Sequence, residues 1–162
     1  MDIRIVRFDH PDAVKLNDEV QAEYAERYGD EGDITPLDPE MFVSPRGLYL
    51  VAYDESGRPI ATGGWRSQDT ASEEGYADGD AEIKRMFVVR EARGRGLSRI
   101  ILARLEEDAR AAGRKRMVLE TGTAQPEAMA LYRSAGYVLL PDAEKFGLYR
   151  ASDNSRCFAK PL

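Results

Sequence analysis

Two periods alternate along the chain. From Ile3 to Phe8 (IRIVRF) apolar and polar residues take turns, the pattern of a strand with one buried face. Asp9-His10-Pro11 then reads as a helix start with proline at the first helical position. Leu16, Val20, Tyr24 and Tyr28 recur every four residues and predict a helix over residues 11–28. Gly29 to Pro36 is acidic and turn-rich, and Asp38 to Phe42 predicts a short second helix closed by Ser44-Pro45. Gly47 to Tyr53 and Pro59 to Trp65 form a hairpin around the turn Asp54 to Arg58. Gly63-Gly64 inside the second of these strands predicts a bulge or a close backbone neighbour.

Ser67 to Asp80 is polar, with Asp69, Glu73, Glu74, Asp78 and Asp80. It reads as a solvated loop or, more sharply, as a rim that attracts amines. Ala81 to Val89 (AEIKRMFVV) is a strand rich in β-branched and aromatic residues. Leu97, Ile100, Ile101, Leu105, Ala109 and Ala112 follow at helical spacing, and Gly113 ends that helix. Arg114-Lys115-Arg116 after it reads as cations beside a helix C-terminus. Met117 to Thr121 is a strand, Pro126 to Ala135 a helix, and Gly136-Tyr137 opens another strand. After a loop from Pro141 to Asn154, Cys157 to Leu162 is the last short strand. The order is β-α-α-β-β-β-α-β-α-β-β, without repeats or a domain boundary, so residues 1–162 are expected to form a single domain.

The stretch from Ala81 to Ala112 organises the rest. A strand feeds a loop with two glycines and several arginines, and the loop opens a helix. The first N–H groups of a helix lack intrahelical partners and lie at the positive end of its dipole. Gly94 and Gly96 let the backbone curl so that such groups converge on one anion, for which a phosphate is the expected guest. The string is not a P-loop, which needs G-x-x-x-x-G-K-[ST]. It fits only two positions of the dinucleotide fingerprint, because Arg99 stands where the third glycine packs helix on strand. A dinucleotide-binding domain, with Glu120 as the ribose acid, is disfavoured by Arg99 and by the mixed element order.

Composition narrows the classes. The chain has 162 residues, 43% hydrophobic and 32% charged, with a net charge of −6. That is ordinary globular chemistry. The acidic balance argues against nucleic acid and mildly favours a cationic small substrate. No apolar run approaches the ~20 residues of a membrane span, and the N-terminus goes straight into a strand without a signal peptide. One cysteine, Cys157, excludes an internal disulfide and fits a reducing cytoplasm. One histidine, His10, with that cysteine builds no typical zinc site, so no metal is expected.

Arg93-Gly94-Arg95-Gly96-Leu97-Ser98 resembles [RQ]-x-x-G-x-[GA], the pyrophosphate motif of the GNAT superfamily of acyl-CoA-dependent N-acyltransferases, with serine in place of the last small residue. Ala128 to Tyr137 (AMALYRSAGY) resembles that family's A-x-x-L-Y-x-x-x-G-[FY] at the expected distance. The order of elements is also similar over nearly the whole chain. The resemblance implies an α/β (α+β) GNAT fold: a mixed sheet of about six or seven strands flanked by about four helices, its fourth and fifth strands splayed apart.

It further implies acetyl-CoA as the acyl donor. Pantetheine would pair with the backbone of Met86, Phe87 and Val88, with the Val88 N–H polarising the thioester carbonyl. The loop Gly94, Arg95, Gly96, Leu97, Ser98 and Arg99, with Arg93, would wrap the pyrophosphate. Gln125 stands where many members have an asparagine that contacts the cofactor. Tyr132 is then the candidate general acid at the CoA sulfur. Glu120 and Glu82 are the candidate general bases, beside members that use a water chain or no dedicated base. Tyr24, Tyr28 and Phe42 fall in the region that forms the acceptor wall. The implied reaction is transfer of an acetyl group to a primary amine of a small molecule or peptide, in a ternary complex. A non-catalytic acyl-CoA-binding module on the same fold is the alternative. Members often dimerise, so a homodimer is compatible with the resemblance.

Overall fold

A computed structural model describes residues 1–29, 32–69 and 74–162. Its elements are β1 (Asp2–Ile5), α1 (Pro11–Tyr28), a one-turn 3₁₀ segment (Pro39–Phe42), β2 (Gly47–Tyr53), β3 (Pro59–Gln68) and β4 (Asp80–Val88). A 3₁₀ turn (Arg90–Ala92), α2 (Leu97–Ala111), β5 (Arg116–Gly122), α3 (Pro126–Ser134), β6 (Val138–Leu139), a 3₁₀ turn (Asp142–Glu144) and β7 (Ser155–Pro161) complete the order.

The seven strands form one mixed sheet in the order β1-β2-β3-β4-β5-β7-β6. Every neighbouring pair is antiparallel except β4 and β5, which α2 connects by a crossover. Three α-helices flank the sheet rather than the expected four. Pro39–Phe42 is too short to close α-helical bonds, and Asp38 accepts the Glu40 N–H to cap a single 3₁₀ turn. The first strand also stops at Ile5 rather than running to Phe8. On α2, Ile100 faces solvent at 42% exposure and Leu102 takes the buried place, because the buried stripe advances by 3.6 residues per turn. Glu73, part of the acidic stretch read from the sequence, lies outside the described residues.

The sheet is packed on both faces. Trp65 and Ile83 lie with Ile101, Leu102 and Leu105 in the core, and the Trp65 indole N–H donates to Asp108 of α2 at 2.9 Å. On the α1 side Tyr49 and Phe42 pack edge to face, and Asn17 of α1 donates to the Tyr49 hydroxyl at 2.8 Å. Each fully buried large side chain contributes roughly 1.5–3 kcal/mol. The Gly63-Gly64 pair makes this packing fit. A Cβ on Gly63 would overlap the Met86 sulfur, and one on Gly64 would overlap the Tyr49 ring.

Two irregularities make the site. β4 and β5 pair only over Asp80–Glu82 with Arg116–Val118. Beyond that, β4 stays with β3 as far as Val88 and β5 stays with β7 as far as Gly122, so the strands part as a V. On β4 the three steps from Lys84 to Phe87 span two steps of β3, from Gly64 to Thr62. The extra residue is a bulge, with Arg85 at φ 59°, the one non-glycine residue with positive φ among those described.

Candidate active site

A cavity of about 500 Å³ occupies the V. β4, the loop before α2, β5, α3 and the C-terminal half of α1 all contribute walls to it, and Tyr149 and Ser155 close one side.

The glycine loop stands at its edge. Gly94 (φ 82°) and Gly96 (φ 77°) are left-handed, and nothing lies within 4 Å of where their Cβ atoms would be. Backbone angle, not space, therefore demands glycine. Gly96 is the N-cap of α2 and supplies no side chain to its leading N–H groups, which leaves that end suited to an external anion. Gly94, Gly96, Leu97, Ser98 and Arg99 line the cavity; Arg95 does not, and lies near the Glu91 carbonyl at 3.4 Å. Arg93 also lines it. Its Nε donates to the Val88 carbonyl at 2.9 Å, and its Nη2 reaches both oxygens of Glu23 at 3.0 and 3.1 Å.

Met86, Phe87 and Val88 line the opposite strand. The Val89 N–H donates to Ile60 of β3 at 2.9 Å. Strand donors alternate between edges, so the Val88 N–H faces the open V.

Glu120 and Tyr132 meet in this cavity from β5 and α3. Glu120 accepts from the Ser155 hydroxyl at 2.6 Å and lies 3.4 Å from the Tyr149 N–H. Burial raises its carboxyl above the ordinary carboxylate range, and those two donors and Lys84 only partly offset it. Tyr132 is buried, packs on Tyr137 and Phe158, and its hydroxyl has no hydrogen-bond partner among the described residues. Burial and the neighbouring Tyr24 push its phenol upward.

Glu82 is elsewhere. It is 1% exposed and outside the cavity lining, held by Arg66 Nε at 2.7 Å, Gln68 at 3.2 Å and the Tyr76 hydroxyl. Tyr24, Tyr28 and Gln125 line the cavity, and Gln125 donates to the Tyr28 hydroxyl at 3.0 Å. Phe42 does not line it; it stacks on Phe8 in the core.

The sequence pattern of the acetyltransferase (GNAT) family matches residues 13–137. The chain belongs to the GNAT acetyltransferase family. It is 39% identical over 137 residues to the IAA acetyltransferase of Azospirillum brasilense, covering 81% of this chain and 82% of that one. Among solved structures it resembles a Klebsiella pneumoniae protein assigned as an acyl-CoA N-acyltransferase, with 26% identity and a TM-score of 0.75 over 99% of this chain and 97% of the other. An aminoglycoside 6'-N-acetyltransferase complexed with coenzyme A shares the fold at 17% identity and a TM-score of 0.66, over 99% of this chain and 97% of that one.

This GNAT enzyme carries polar groups in its cavity that pattern reading passed over. Asp33, Lys84, Arg85, Tyr149 and Ser155 all line it. Asp33 lies 3.2 Å from Lys84 Nζ and 3.7 Å from Arg85 Nη2, and accepts from Thr35 and Tyr149. Burial alone would raise its carboxyl, but Lys84, Thr35 and Arg85 outweigh that and hold it at about 2. The one signal in the sequence is the consecutive pair Lys84-Arg85 between the apolar residues Ile83 and Met86 of β4.

Proposed function

We propose that this enzyme transfers an acetyl group from acetyl-CoA to a primary amine by direct attack, with both substrates bound together in the V. The observation that carries this is the meeting of Glu120, Tyr132 and the uncapped glycine loop around one cavity. The loop fits an anionic pyrophosphate because its glycines leave open space over a bare helix N-terminus. Acetyl-CoA supplies the activated thioester.

Glu120 acts as the general base. An ammonium of pKa about 10 is mostly protonated at neutral pH, so the amine has to give up a proton before it attacks. A carboxylate raised by burial takes that proton better than an ordinary one. Glu82 is committed to Arg66 and Tyr76 away from the cavity, which favours Glu120 over it. The Val88 N–H, on the open edge of β4, donates to the thioester oxygen as negative charge gathers there.

Tyr132 serves the departing sulfur by donating a hydrogen bond. Its phenol lies above the usual value of about 10, whereas a thiol titrates near 8.5. Full proton transfer from Tyr132 would run uphill. A hydrogen bond stabilises the thiolate without it.

The test is thermal unfolding with acetyl-CoA, with NADH as control, followed by an amine panel read by release of free CoA thiol. At about 100 times its Kd acetyl-CoA adds roughly 2.7 kcal/mol, several degrees for a chain of this size. Glu120→Gln is expected to lower kcat by about 10²–10⁴-fold and to flatten the acid limb of the pH profile. Unchanged turnover removes Glu120 from the role. A shift with acetyl-CoA but no turnover on any amine leaves a binding module instead.

A further inference from the structure

The bulge on β4 sends two consecutive cations to one place. In a regular strand neighbouring side chains point to opposite faces. Here Arg85 sits at φ 59°, and both Lys84 and Arg85 reach toward Asp33 in the cavity wall. Their carboxylate partners are too few. Arg66 takes Glu82 at 2.7 Å, and Lys84 takes Asp33 at 3.2 Å and lies 3.9 Å from Glu82 Oε2. Arg85 is left with loose contacts from Nη2 alone, 3.5 Å to the Asp33 carbonyl and 3.7 Å to its Oδ2.

The residue is 7% exposed, and its Nε and Nη1 have no hydrogen-bond partner among the described residues. Among the described residues three buried side-chain polar atoms are unpartnered, and two of them belong to this guanidinium. A buried charge with unmet N–H groups is a standing cost to the free protein. So is its left-handed backbone. A bound anion is what would satisfy it.

We propose that Arg85 recognises a carboxylate on the acceptor, so that the acceptor is an amine of the amino-acid class carrying its own carboxylate. This rests on the acetyl-transfer reading above. A guanidinium meets a planar carboxylate through two parallel bonds, using either the Nη1/Nη2 or the Nε/Nη2 edge. Each edge includes one idle nitrogen and the loosely held Nη2. Nε and Nη1 are shielded from water, so the proposed pairing requires the side chain to turn off Asp33. Lys84 is a compact point charge already paired at 3.2 Å and offers no such fork. On the other arm of the V, Glu120 supplies the complementary negative end. In the proposed pose the ammonium of a zwitterion lies toward Glu120 on β5 and its carboxylate toward Arg85 on β4.

The experiment compares each of the 20 common L-amino acids with its carboxamide, by thermal shift with and without CoA and by kcat/KM with acetyl-CoA. Wild type is expected to be stabilised by at least one free amino acid but not by its carboxamide, and to prefer the carboxylate by at least thirtyfold in kcat/KM. Arg85→Met is expected to abolish that preference, mainly through KM, while the unliganded protein unfolds at a higher temperature than wild type. Arg85→Lys is expected to recover part of the preference, since it keeps the charge and loses the fork. Equal response to acid and amide, no response to any acid, or an Arg85→Met variant that is destabilised without ligand overturns the proposal. Failure of acetyl-CoA to shift the wild type sinks the acetyl-transfer reading instead, and the arm without CoA still reads Arg85. An acetyl-CoA shift without carboxylate selectivity sinks only this proposal.

Discussion

Gly147→Ala should displace the Glu120 carboxylate, the proposed base, without changing its chemistry. Gly147 has φ 92°, where an L-residue costs about 1–2 kcal/mol. Its Cβ would overlap Glu120 Oε1 and stand 2.9 Å from Cδ and 3.3 Å from Oε2. The carboxylate has to move, at the expense of the 2.6 Å bond from Ser155. A hydrogen bond to a charged group is worth about 1.5–3 kcal/mol. The expected loss of stability is therefore roughly 2.5–5 kcal/mol. Gly57→Ala is the control. Gly57 has φ 83° in the β2–β3 turn, nothing lies within 4 Å of its Cβ, and it is outside the cavity. It should lose only the backbone share of about 1–2 kcal/mol. Turnover should separate the two further, because a misplacement of about 1 Å costs on the order of 10²-fold. The assays are urea unfolding and release of CoA thiol with the best amine of the panel. Equal stability losses with kcat unchanged in both variants would refute the reasoning.

Three further outcomes are expected. Gly96→Asp should weaken acetyl-CoA binding, because it sets a carboxylate over the bare N-terminus of α2, and should lower stability by about 1–2 kcal/mol, because φ is 77° there; calorimetry with acetyl-CoA reads the first and unfolding the second. Tyr132→Phe should lower kcat by about ten- to a hundredfold with little change in acetyl-CoA affinity or stability, because the hydroxyl has no protein partner among the described residues to lose; steady-state kinetics would expose a merely structural role as unchanged kcat. Asp33→Asn should cost about 2–3 kcal/mol at neutral pH, from a carboxyl held at about 2 in the native state. Folding lowers that pKa, so the contribution is full above the ordinary carboxylate range and disappears as pH falls toward 2. Urea titrations across that range should converge for wild type and variant.

Sequence was enough for the elements with a strong period and for the loop with a steric demand. The helix over residues 11–28 and the strands Gly47–Tyr53 and Asp80–Val88 follow from local apolar spacing. The need for glycine at 94 and 96 is likewise local, because a left-handed φ costs a residue with a side chain about 1–2 kcal/mol. The segment at Pro39 forms a 3₁₀ turn rather than the expected α-helix, and four residues carry too little period to distinguish the two.

The two carboxylates show where local reading stops. Glu82 and Glu120 look alike in sequence, each a glutamate on a strand beside the V. Only the fold gives Arg66, Gln68 and Tyr76 to the first and brings the second, with Ser155, to the cavity. Those partners lie 6 to 35 positions away in the chain, and no periodicity encodes them. Arg85 is the extreme case. Its backbone angle comes from a register shift against β3, and its unmet N–H groups come from which acids its neighbours have already taken. Backbone preference and apolar period are properties of a few consecutive residues, and the chain states them directly. Burial and the pairing of charges depend on every residue that folding brings near, so only the tertiary structure could decide them.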